Sequence, residues 1–146
     1  MIDPKHIGMK LPVYKATAEA GQLRFFAKSI GETDPIYVDE SAARDAGHPG
    51  LSLPPTFLFS LEFQIPSHAW RDELGIVTSR ILHGEESFSY HRMAYAGDTL
   101  QFETRIAHIY DKKNGALSFV VRESRVTNQR GEHVADLRSV LVHKNA

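Results

Sequence analysis

Glu32, Asp34 and Tyr37 stand close together in the segment Gly31-Glu32-Thr33-Asp34-Pro35-Ile36-Tyr37-Val38-Asp39. A carboxylate can serve as a general base near neutral pH, and a hydroxyl can contact a substrate. Each also has a structural use: Asp34 before Pro35 suits a turn, Glu32 after Gly31 suits solvent, and the Tyr37 ring can simply pack. Glu62 is a second candidate, because it interrupts Thr56-Phe57-Leu58-Phe59-Ser60-Leu61-Glu62-Phe63, a stretch apolar nearly all round. A buried carboxylate can act as a base or a nucleophile. It can equally face an open side or pair with an arginine. The eight histidines are scattered. His83 and His91 are expected to share a strand face and His48 lies in a Gly/Pro loop, but no histidine pair at i, i+4 and no His-Glu-x-x-His occurs, so no metal is expected. Cysteine is absent, which removes thiolate ligands, disulfides and cysteine nucleophiles together. Neither a Gly-x-Ser-x-Gly elbow nor a Gly-rich phosphate loop is present. Arg80 and Arg92 remain as cations that could meet a phosphate.

These side chains need elements to hold them. Leu23, Phe26, Ala27 and Ile30 recur at helical spacing and predict a helix over Ala18 to Ile30, with Thr17 as N-cap and Gly31 as its stop. Asp39 is placed to cap a short helix through Ser41-Ala42-Ala43-Arg44 that ends at Gly47. Residues 47–55, GHPGLSLPP, form a loop. Pro55 then suits the first turn of the apolar helix beginning at Thr56, which Pro66 interrupts. The second half reads as strands over 82–91, 100–110, 117–127 and 133–143. Leu100, Phe102, Thr104, Ile106, His108 and Tyr110 alternate onto one face, and turns are signalled at Gly97-Asp98, Asn114-Gly115 and Asn128 to Gly131. An apolar helix followed by long antiparallel strands gives an α+β domain in which the sheet wraps the helix.

The chain has 146 residues, enough for one domain with its own core and no staple. Its 17 Lys and Arg against 18 Asp and Glu give a net charge of −1, with no basic footprint for nucleic acid. No apolar run reaches the roughly 20 residues of a membrane span, and residues 1–14 lack a signal-peptide layout. A cytoplasmic protein is expected.

Residues 24–43, RFFAKSIGETDPIYVDESAA, resemble the signature of the MaoC-like dehydratases, or type-2 enoyl-CoA hydratases. Residues 82–100, LHGEESFSYHRMAYAGDTL, resemble the strand, turn and strand of the same family, with Met93 where proline is usual. The resemblance covers nearly the whole chain as a single domain, 1–146, and is nearest to N-terminal dehydratase-type domains. It implies the hot-dog fold, no cofactor, and an acyl thioester of coenzyme A or acyl carrier protein as substrate, in fatty acid metabolism. It places Glu32 and Tyr37 where active members carry the catalytic Asp and His, and implies substrate contacts at Asp34, Thr56, Phe57, His83 and Arg92. A tyrosine near pKa 10 is a poor base at neutral pH, and Pro54 and Pro55 remove N–H donors from the amide site at the start of the buried helix. These departures imply a substrate-binding hot-dog subunit whose MaoC-like partner carries the dyad. The alternatives are a homodimeric hydratase using Glu32, a thioesterase using Glu62, and a non-catalytic acyl-CoA binding protein. Leu117, Phe119 and Val121 opposite Val120 and Val126 give a strand apolar on both faces, which predicts a homo- or heterodimer.

Overall fold

The computed structural model describes residues 1–145. Its elements are β1 (Tyr14–Thr17), α1 (Ala20–Ser29), α2 (Glu40–Asp45), α3 (Phe57–Phe63), α4 (Ala69–Glu73), β2 (Ile81–Tyr90), β3 (Thr99–Lys112), β4 (Leu117–Thr127) and β5 (His133–Lys144). The strands form one antiparallel sheet in the order β1-β3-β4-β5-β2. The sheet closes over α3 as the sequence predicts. Phe57, Leu58 and Leu61 pack with Leu100, Phe102, Val126, Ala135 and Leu137 from the three central strands. A second apolar cluster joins Trp70, Leu74 and Ile76 to Ile106, Ile109, Val120 and Leu141, with Ile2 and Leu11 from the chain start. No helix among the described residues is long and apolar enough to cross a membrane.

Local sequence explains most boundaries. Asp39 caps α2 through its Oδ1, which accepts from the Ser41 and Ala42 amides at 2.8 and 3.2 Å. Thr17, expected as a cap, is instead the last residue of β1. The ladder claims it, because Ala18 exchanges backbone hydrogen bonds with Asp98 and Gly97 and delays α1 to Ala20. The expected face of β3 holds from Leu100 through Ile106 and then fails. A bulge between Ile106 and His108 shifts the phase, so Ile109 is buried while His108 is exposed and Tyr110 half-buried. One extra residue in a strand reverses every side chain beyond it.

β4 is apolar on both faces, as expected. Val120 and Val126 face the core, while Phe119 on the other face stacks on Tyr110 at 4.9 Å beneath the Lys112 ammonium. β2 lies at the free edge of the sheet and is bent by a second bulge between His83 and Glu85. The bulge explains Gly84. A Cβ there would sit 2.9 Å from the Val142 side chain and 3.1 Å from the Val140 carbonyl oxygen, so β5 passes too close for a larger residue. Gly84→Ala is expected to destabilise the fold by about 1–3 kcal/mol, read as a lower denaturation midpoint in urea with an unchanged slope.

Candidate functional site

The segment after α1 is shaped by its own carboxylates. Gly31, at φ 71°, ends the helix, and the Glu32 amide donates back to the Ala27 carbonyl at 2.9 Å. Glu32 Oε1 then accepts from the Thr33 and Asp34 amides at 2.8 and 2.9 Å. Asp34 Oδ1 accepts from the Ile36 amide at 3.1 Å and caps the 3₁₀ turn Pro35–Tyr37. Both carboxylates are therefore engaged by backbone N–H groups. Tyr37 is half-buried; burial, then the charges of Glu32 and Asp34, raise its pKa further above the phenol range. At neutral pH it is a neutral hydroxyl and not a base.

Tyr37 opens onto a cavity of about 330 Å³, bounded also by Leu53, Pro55, Tyr90 and residues 91–94. Burial, followed by the Tyr37 charge, raises the pKa of Tyr90 as well. Arg92, in the same wall, pairs with Glu132 at 3.5 Å. The start of α3 beside the cavity is short of free amide donors. Pro54 and Pro55 carry no N–H, and the Phe57 N–H donates to the Pro54 carbonyl at 2.9 Å. Thr56 is exposed at the N-cap position and makes no side-chain cap. Of the candidate side chains singled out in the sequence, the structure brings Tyr37, His91 and Arg92 to one cavity. Phe57 sits in the core with its ring 5.0 Å from Phe26. His83 is exposed and packs on Phe59 and Phe63 at 5.7 and 5.9 Å. His91 lies past the end of β2, beyond the bulge, and does not continue the His83 face.

Glu62 is 6% exposed and belongs to a different centre. A polar band crosses the inner face of the sheet between the two apolar clusters, formed by Thr104, Ser124, Arg122, Ser139 and Glu86 in cross-strand register. Glu62 reaches it from α3. Its Oε1 accepts from Thr104 Oγ1 at 3.2 Å and from Ser124 Oγ, while Oε2 lies 3.5 Å from Arg122 Nη2. Arg122 Nε donates to Ser139 Oγ at 3.1 Å, and its guanidinium lies over the Trp70 ring. The pairing with an arginine, one of the two structural uses open to Glu62 in the sequence, is present in the fold. Glu86 faces the same band, and its carboxyl is pushed up to about 7 by burial and the Glu62 charge, against the opposing pull of Arg122. Glu86 and Arg122 carried no signal in the sequence. They meet Glu62 only because β2 and β4 flank β5. A wider groove of about 740 Å³ is bordered by Arg105, Glu123, Arg125, Asp136 and Arg138. Among the described residues one group could hold a metal ion, His91, His133 and Asp136.

The family model for the FAS1-like dehydratase domain region matches residues 5–137. A UPF0336 protein of Streptomyces coelicolor is 34% identical over 99% of this chain and 97% of its own. One from Leifsonia xyli is 38% identical over 90% of this chain and 86% of its own. Among solved structures, the chain is similar to the HadBC (3R-hydroxyacyl-ACP dehydratase) complex of Mycobacterium tuberculosis, with 27% identity, a TM-score of 0.79 and 94% and 96% of the two chains covered. It superposes on a MaoC-like dehydratase with a TM-score of 0.85 at 22% identity, covering 97% of this chain and 43% of that one, a likeness of fold.

The buried pair and its neighbour have measurable consequences. Glu62→Ala leaves Arg122 unpaired beneath α3 and is expected to cost about 3–5 kcal/mol in chemical denaturation. Glu86 has a folded pKa above its unfolded value, so its contribution to stability is lost as pH rises through about 7. Glu86→Gln is therefore expected to raise Tm at pH 8 by about 2–4 °C per kcal/mol relieved, and to leave it nearly unchanged at pH 4. Calorimetry at the two pH values reads the difference.

Proposed function

The chain belongs to the FAS1-like dehydratase-domain family, and from that membership we propose that it is the substrate-binding subunit of an acyl-thioester hydratase or dehydratase whose partner supplies the catalytic Asp and His. The observation that carries this reading is the state of Glu32 and Tyr37. One carboxylate oxygen is held by two backbone amides, and the hydroxyl has its pKa raised. The hydroxyl is neutral near pH 7 and makes a poor base there. The similarity to one chain of the HadBC complex supports a two-subunit enzyme.

Hydration of an enoyl thioester requires a base that removes a proton from water as its oxygen bonds to C3, and an acid that delivers a proton to C2. In this proposal both groups come from the partner, and no cofactor takes part. This chain contributes the cavity beside Tyr37, whose neutral hydroxyl can donate to a thioester or acyl oxygen, and Arg92 in its wall as a cation for the carrier phosphate. The substrate is an enoyl-CoA or 3-hydroxyacyl-ACP in a cytoplasmic fatty acid pathway. The partner is a second hot-dog chain seated on the outer edge of β2, a ten-residue strand with its outer N–H and C=O groups unpaired within the sheet.

The test compares the purified chain, alone and mixed with a dyad-bearing MaoC-like subunit, for hydration of crotonyl-CoA and longer enoyl-CoA substrates. The isolated chain is expected to lack the roughly 10²–10⁴-fold contribution of a positioned base, and the mixture to recover it. Tyr37→Phe in the mixture should raise KM more than it lowers kcat. Ordinary turnover by the isolated chain that Glu32→Gln abolishes would establish Glu32 as the base and overturn the proposal. Thioester hydrolysis lost in Glu62→Gln would favour a thioesterase, and tight acyl-CoA binding without turnover in any mixture would favour a binding protein.

A further inference from the structure

We propose that His91, His133 and Asp136 form a binding site for a divalent transition-metal ion of the zinc, cobalt and nickel class. The pairing of β2 with β5 creates the site. Tyr90 lies opposite Ala135 and Ser89 opposite Asp136, and the chain leaving β2 is held by the His91 and Arg92 amides, which donate to the Val134 carbonyl at 2.9 and 3.1 Å. Both imidazoles then point the same ring nitrogen at one carboxylate. His91 Nε2 lies 2.8 Å from Asp136 Oδ2 and His133 Nε2 lies 2.9 Å from Asp136 Oδ1. The two ring centroids are 4.2 Å apart, and the three donor atoms lie within 4.8 Å of one another.

Two imidazoles and a carboxylate suit the borderline ions of the first transition row, and not calcium or magnesium, which take oxygen ligands. An ion bound at about 2.0–2.2 Å from each donor needs only a small opening of the present contacts. The three side chains can make it, being exposed or half-buried at the surface. Three protein ligands leave a coordination position free.

The location gives the ion a role. His91 begins the 91–94 segment that walls the 330 Å³ cavity, and Asp136 borders the 740 Å³ groove, so the ion sits on the rim between them. Binding there ties the cavity wall to β5. This inference rests on the geometry of the wall and not on the acyl-thioester reading.

The experiment uses the full chain, stripped with a chelator and titrated with zinc, cobalt and nickel chlorides by calorimetry, with the cobalt form read by its visible ligand-field bands. One ion per chain, micromolar affinity and a higher Tm are expected. Outer-sphere partners alone typically contribute about 10–100-fold to metal affinity, so His91→Ala and His133→Ala should each lose at least that much. Asp136→Asn should lose the intense cobalt bands. His6→Ala serves as the control and should bind like the wild type. Circular dichroism of His91→Ala separates loss of the site from loss of the fold. Absence of binding by all three ions at 100 micromolar, or unchanged binding in the His91→Ala/His133→Ala double variant, would overturn the proposal. Failure of the hydratase assay would leave this result untouched.

Discussion

A carboxylate and a guanidinium enclosed between a helix and a sheet constrain how this chain can pack. Glu62 and Arg122 lie 3.5 Å apart with side chains 7% and 12% exposed. Neither can be buried alone without a large desolvation cost, so α3 must lie where its sixth residue meets the middle of β4. That requirement fixes the rotation of α3 about its axis, which apolarity on nearly every side would leave open. With the rotation fixed, Phe57, Leu58 and Leu61 fall into one apolar cluster. Trp70 and α4 close the other beyond the polar band. The band also places Glu86 in surroundings that favour its proton.

The same economy governs the segment from Gly31 to Asp39. Its carboxylates cap amides, its proline begins a 3₁₀ turn, and its tyrosine packs at a cavity wall. A turn that holds itself with its own side chains keeps its shape without a substrate. The chain keeps a self-capped turn at the segment that resembles a dehydratase signature. The start of α3 is likewise short of amide donors, through Pro54 and Pro55.

Much of the fold was legible because its signals are local. The Asn114-Gly115 hairpin, with φ of 53° and 82°, follows from residues that tolerate the left-handed region, and the alternation in β3 and β4 reports a half-buried sheet. β1 and α4 carried no such signal. Four residues of strand and five of helix are too short for periodicity, and both form because tertiary partners claim them. The bulge in β3 was invisible for a related reason: nothing in Ile106-Ala107-His108 marks an extra residue until β4 sets the register. At the site, Glu32, Asp34 and Tyr37 could be located by motif, but their hydrogen bonds could not. The meeting of His91 with His133 and Asp136 depends on β2 crossing past β3 and β4 to pair with β5, a long-range choice that no spacing encodes.

The kink at Gly84 falls on the longer of the two edge strands of the sheet. A bent edge is a poor template for a straight, flat strand, so open-ended stacking into fibres is disfavoured. A strand that bends in step can still zip along the full row of free amides and carbonyls. An edge of this contour therefore favours a strand that matches its curvature over one that does not.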